Sequence, residues 1–136
     1  MAGKYWEIKG LADETVHRIS ANDAEWMKFL ELAGRLYRYP FRDQVLIYAQ
    51  RPDATACASL ELWNEKMGCW VNKGAKGIAL IDEDGRRRSG LKYVFDVSDV
   101  HEMKYIGHKC IIMYKCPAQS FLYLHRIVSI KIIVEY

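Results

Sequence analysis

Near residue 68 the spacing of apolar residues changes from helical to strand-like, and few architectures accommodate such a switch in one short chain. Before it, apolar side chains recur at three- and four-residue steps; after it they alternate or run together. Helices gathered ahead of strands argue for an α+β fold, with N-terminal helices packed on a small, mainly antiparallel sheet. The chain has 136 residues, 51% hydrophobic and 27% charged. That is one domain's worth of sequence, with enough apolar surface for a core, and it excludes a disordered or low-complexity chain. No run of ~18 apolar residues occurs, and the first residues lack the apolar stretch of a signal peptide. The expectation is a cytoplasmic chain with no membrane partner.

The helical part divides at its punctuation. Residues 1–22 carry few apolar anchors and read as an N-terminal extension against the main body, or as a short strand. Asn22 or Asp23 can cap a helix in which Trp26, Phe29, Leu30, Ala33, Leu36 and Tyr37 form an apolar face. Pro40 ends it, because proline disfavours helical geometry at the preceding residue. A second helix is expected at about 41–50, closed by the breaker Arg51-Pro52-Asp53. Ser59 can cap a third, short helix holding Leu62, Trp63 and Met67, with Gly68 placed to terminate it. Trp70-Val71 and Ile78–Ile81 then read as a hairpin joined by the Gly-rich loop 72–77. A polar turn at 82–90 leads to a strand at 91–97, and 109–114 and 127–136 are further strand candidates.

Catalytic grammar is missing. His101-Glu102 begins an H-E-x-x-H pattern, but the second histidine is absent, so a zinc peptidase helix lacks a ligand. The loop from Gly74 to Gly77 is too short for a phosphate loop, and no G-x-S-x-G occurs. Cys57, Cys69, Cys110 and Cys116 form no C-x2-C pair, and His108, Cys110 and Cys116 match no standard zinc spacing. Buried free thiols are the simpler reading. A non-enzymatic chain, with no catalytic residue, metal or cofactor, is therefore expected.

Binding is better supplied. Lys73 and Lys76 sit on a glycine-containing loop beside Trp70, and lysines neutralise phosphates where glycines let a backbone approach. Trp63, Trp70, Tyr48 and Tyr39 offer flat faces for unpaired bases. Arg42, Arg51 and the triplet Arg86, Arg87 and Arg88 add candidate phosphate contacts. Residue types alone favour the plainer alternative, in which the tryptophans are core and the cations a solvated face.

Residues 37–59, YRYPFRDQVLIYAQRPDATACAS, and 62–82, LWNEKMGCWVNKGAKGIALID, resemble the N-terminal region of large proteins carried by conjugative elements of Gram-positive gut bacteria. The order of parts is also similar to the ArdC-type antirestriction N-terminal domain. There a Trp-bearing helix leads into V-x-K-G-x-K-G and an apolar strand, matched here by Val71 to Ile78. The resemblance covers about residues 23–100. It implies single-stranded DNA binding that protects incoming DNA from host defences, and it points to Trp70, Lys73 and Lys76, with Tyr48 and Trp63 as structural or stacking partners. The C-terminal metallopeptidase of ArdC-type proteins has no counterpart in this sequence.

The resemblance stops near Met103, and so does the charge balance. Residues 1–102 hold 15 Lys/Arg against 16 Asp/Glu, whereas 103–136 hold 5 against 1. The expected organisation is an extension at 1–22, an ArdC-like domain at 23–102 and an apolar, basic tail at 103–136. That tail would complete the sheet or form a homodimer surface. The leading functional expectation is a mobile-element module that binds single-stranded nucleic acid in antirestriction or DNA transfer. The alternative is a small inhibitor, anti-CRISPR or antirestriction, that contacts a host defence nuclease directly.

Overall fold

The computed structural model describes residues 2–85, 87–106 and 109–112. Residues 1–100 form one compact unit and 101–136 a second. The fold is α+β with the helices first, as the change of period implies. The first unit contains α1 (Ala2–Ala21), α2 (Asp23–Arg35), α3 (Phe41–Gln50), β1 (Cys57–Ser59), a π-helical turn (Leu62–Lys66), β2 (Cys69–Val71), β3 (Ile78–Ile81) and β4 (Leu91–Asp96). In the second, β5 (Val100–Ile106) pairs antiparallel with β6 (Lys109–Ile112), Met103 opposite Ile112 and Ile106 opposite Lys109. The expected strand at 127–136 and the tail dimer surface lie outside the described residues.

The segment expected as an extension against the main body, or as a short strand, is helical from Ala2 to Ala21. Ile8, Ala12, Thr15 and Ile19 are buried at four-, three- and four-residue steps, which is one helical stripe. Two of those positions are small or polar, so the stripe is faint in sequence. Thr15 is accommodated because its hydroxyl donates to Leu11 O at 2.7 Å. Ile8, Ala12 and Ile19 share one core with the helices and strands that follow.

Asn22 caps α2, its side chain accepting from Ala24 N at 2.9 Å and Glu25 N at 3.3 Å. The helix ends at Arg35, five residues before Pro40. A carbonyl just past its end is met from the next helix: Gln44 Nε2 donates to the buried Leu36 O at 3.0 Å. Phe29 anchors the layer, with the rings of Trp26, Phe41 and Tyr48 each 5.7 Å from its own. Helix α3 is buried at six consecutive positions, Asp43 to Tyr48, so it runs through the middle of the core. Its buried Asp43 carboxylate pairs with Lys92 Nζ at 2.9 Å.

The sheet of the first unit has the order β1-β4-β3, antiparallel throughout. Ala58 faces Phe95, Ile78 faces Val94 and Ile81 faces Leu91. Strand β3 is an edge, and an open edge exposes unpaired backbone groups. Gln50 closes part of it: its Nε2 donates to Ala79 O at 2.8 Å and its Oε1 accepts from Ala79 N at 2.9 Å. A helix side chain thus occupies the place of a fourth strand.

Asp96 joins the end of β4 to the segment entering β1. Its Oδ1 accepts from Thr55 N (2.8 Å) and Ala56 N (3.0 Å), and its Oδ2 from Ser98 N (3.1 Å) and Ser98 Oγ (2.6 Å). Burial alone would raise its pKa, but these bonds outweigh it and hold the carboxyl below the usual aspartate value. Among the described residues, no helix is long and apolar enough to cross a membrane.

Candidate functional site

Strand β2 is three residues long and its side chains alternate. Cys69 points inward to join Ala58 and Trp63 in a small second core, while Trp70 points outward and is 45% exposed. The chain then turns at once. Ala75 N donates to Asn72 O at 3.0 Å, and Gly74 sits at φ +89, the signature of a type II turn with Lys73 at its leading corner. The turn is tethered at its start, where Asn72 N donates to Asp99 O at 2.8 Å.

The two glycines of the motif have different structural causes. Gly74 supplies a backbone conformation that side-chain-bearing residues rarely adopt. Gly77 supplies space: a Cβ there would lie 3.2 Å from Phe95 Cζ and 3.3 Å from Tyr93 Cβ. The lysines that precede them, Lys73 before Gly74 and Lys76 before Gly77, have no such explanation. Lys73 and Lys76 are exposed, and no ion pair holds either one among the described residues. Their setting differs from the expected hairpin, because β3 pairs with β4 and β2 is not a strand of that sheet. Strand β4 instead matches all four residues of β3, Ile78 opposite Val94 through Ile81 opposite Leu91.

The other candidates separate into groups. Trp63 is 2% exposed and its Nε1 donates to Phe95 O at 2.9 Å, so it is the centre of the second core and presents no stacking face. Tyr48 is likewise buried, its hydroxyl donating to Glu25 Oε2 at 2.9 Å. Both therefore leave the list of base-stacking residues and take the structural role. Tyr39 follows them, its hydroxyl donating to Cys57 O at 2.8 Å, with burial pushing its pKa well above that of a free phenol. The guanidinium of Arg51 is bonded to Asp99 and lies 4.0 Å from Asp53, so carboxylates already meet its charge. Arg42 pairs with Glu83 at 3.0 Å.

The arginine triplet behaves unevenly. Arg86 lies outside the described residues. Arg87 reaches Glu61 Oε1 at 3.4 Å, a surface pair of the kind worth no more than about 1 kcal/mol. Arg88 is exposed with no ion pair among the described residues. Arg87 and Arg88 follow Ile81 and the lysine loop precedes Ile78, so the four residues of β3, on the order of 10–13 Å of strand, lie between them in the chain. Among the described residues, these cations fall at opposite ends of one strand.

Reactive groups are scarce around this loop. Burial pushes the Cys57 thiol up to about 12, and the Asp96 carboxylate beside it adds to the rise. A thiol so placed is not a nucleophile at neutral pH. No group of three His, Cys, Asp or Glu side chains comes together among the described residues. The residues from His108 to Cys116 that suggested metal ligands have no described side chains.

Sequence reading missed one surface. Of the apolar positions on α2, Phe29 and Leu32 are buried, whereas Trp26, Met27 and Leu30 are exposed. The apolar arc of this helix is wider than the core can cover, and that width was the available signal. No family model, curated protein or solved structure matches this chain.

Proposed function

We propose that residues 1–100 form a non-enzymatic module that binds single-stranded nucleic acid through Trp70, Lys73 and Lys76. The observation that carries the reading is the half-exposed tryptophan followed, three and six residues later, by two exposed lysines with no ion-pair partner among the described residues. An indole lying open on a strand can stack on a base only if that base is unpaired, and such stacking is worth ~1–3 kcal/mol. The two ammonium groups then sit within reach of the adjoining phosphates. Buried Trp63 and the sheet beneath hold β2 in place, which lowers the ordering cost of binding. Arg88, at the far end of β3, adds a distant phosphate contact for a longer strand. A role in DNA transfer or antirestriction follows from the resemblance to ArdC-type domains and belongs to the same proposal.

Fluorescence anisotropy with labelled oligo-dT and a duplex of the same length tests it. The wild-type chain should prefer the single strand, and Trp70→Ala or the pair Lys73→Ala and Lys76→Ala should each weaken binding at least several-fold. Unchanged affinity in these variants, or no binding at low salt, would overturn the proposal.

A further inference from the structure

We propose that Arg51 and Asp99 are positioning residues for the lysine loop, their ion pair tying the turn from Asn72 to Ala75 to the end of α3. That role presupposes the single-strand reading of Trp70, Lys73 and Lys76. Asp99 is where the two halves of the link meet. Its side chain accepts from Arg51 Nη1, and its backbone carbonyl accepts from Asn72 N at 2.8 Å. Asn72 in turn gives its own carbonyl to Ala75 N at 3.0 Å, the bond that closes the turn around Lys73. Both backbone polar groups of Asn72 are therefore set, one by Asp99 and one by the turn.

The far end of the link is anchored in the core. Arg51 directly follows α3: its N–H donates to Ile47 O at 2.7 Å and its carbonyl accepts from Ala54 N at 3.1 Å. Leu46 and Ile47, just before it, are fully buried. Asp99 is braced as well, because it ends a short 3-10 turn, Val97–Asp99, that Asp96 caps through Ser98 N at 3.1 Å. The pair itself is sheltered, with the side chains of Arg51 and Asp99 28% and 16% exposed, so salt screens it less than a surface pair. Support of this kind matters at the loop. Lys73 and Gly74 are exposed, and a glycine adds backbone freedom that must be given up when a ligand orders the turn. A turn already fixed to the core avoids that cost on binding.

One substitution separates this role from two others. If Arg51 reached a phosphate itself, Asp99→Ala would release its guanidinium and tighten binding. If Asp99 acted only through its charge, Asp99→Ala would remove an anion beside the lysines and again tighten binding. If the pair positions the turn, the same change weakens binding although the chain becomes more basic. Asp99→Ala keeps the backbone carbonyl that receives Asn72 N, so what is lost is the link to α3.

Anisotropy with labelled oligo-dT at low salt and amide hydrogen exchange by NMR, both on the full chain, read the result. Asp99→Ala and Arg51→Met should each weaken binding at least threefold. The double variant should be no weaker than Arg51→Met alone, because either change breaks the same link. In each variant the amides of Asn72 and Ala75 should exchange at least tenfold faster relative to those of Leu46 and Ile47, which report on the core as a whole. Asp99→Ala binding as well as or better than wild type, effects that multiply in the double variant, or exchange at Asn72 and Ala75 rising only in step with α3 would overturn the proposal. A wild-type chain that binds no oligo-dT overturns the single-strand reading itself, a result distinct from wild-type binding that Asp99→Ala leaves intact.

Discussion

Removing the Asp96 carboxylate should loosen the join between the end of β4 and the segment entering β1, and the two obvious substitutions should do so by different amounts. One oxygen serves Thr55 N and Ala56 N; the other serves the Ser98 backbone and hydroxyl. Asparagine keeps one acceptor. With that oxygen turned to Thr55 and Ala56, its amide group faces Ser98 N, a donor against a donor, at a cost of ~1–2 kcal/mol. Alanine removes every acceptor and leaves the Thr55 and Ala56 N–H groups without their partner, which should cost about 3–4 kcal/mol. Urea denaturation at pH 7 measures both. The acid limb gives a second reading. The folded pKa is lowered, so Asp96 stabilises the fold fully above the ordinary aspartate value near ~4. That stabilisation is lost as pH falls through the lower folded value. Wild type should therefore lose stability between about pH 5 and pH 2 more steeply than Asp96→Asn. An Asp96→Ala variant within about 1 kcal/mol of wild type, or identical acid profiles for wild type and Asp96→Asn, would refute the assignment.

Other consequences are as concrete. Gln50→Ala strips both backbone groups of Ala79 of their partner and should cost ~2–3 kcal/mol by thermal or urea unfolding, since Ala79 is buried. Gly77→Ala should cost ~1–2 kcal/mol, because Tyr93 Cβ is fixed to the strand and cannot yield to a new methyl as the Phe95 ring can. Cys57, its thiol pushed up to about 12 by burial first and then by Asp96, should react with iodoacetamide at pH 8 at least a hundredfold more slowly in the folded chain than in urea, read by peptide mass spectrometry.

What could be read from the sequence was whatever rests on local chemistry. Asn22 as a cap, α3 across 41–50 and the strands around 78–81 and 91–96 follow from capping groups, breakers and apolar spacing. Helix α1 was obscured because Ala12 and Thr15 occupy core positions that a hydrophobic pattern does not mark. Pairing was obscured for a different reason. Sequence proximity favours β2 with β3, whereas β3 pairs with β4 over all four of its residues, and local spacing does not encode that choice. In the candidate site, exposure was the missing quantity. Trp63 and Trp70 are equally plausible as bases' stacking partners by type; only alternation on β2 and the bond from Trp63 to Phe95 O separate them. Arg51 and Lys73 likewise differ by a partner distant in sequence, Asp99.

The central claim is that Lys73 and Lys76 neutralise phosphates of a single strand, and the salt dependence of binding tests it most directly. Each phosphate neutralised on a single strand contributes about −0.7 to the slope of log K against log salt. Anisotropy titrations of oligo-dT between 25 and 200 mM salt should therefore show a slope shallower by about 1.4 when both lysines become alanine. A slope that does not change between wild type and the double variant would contradict the account, whatever the absolute affinity.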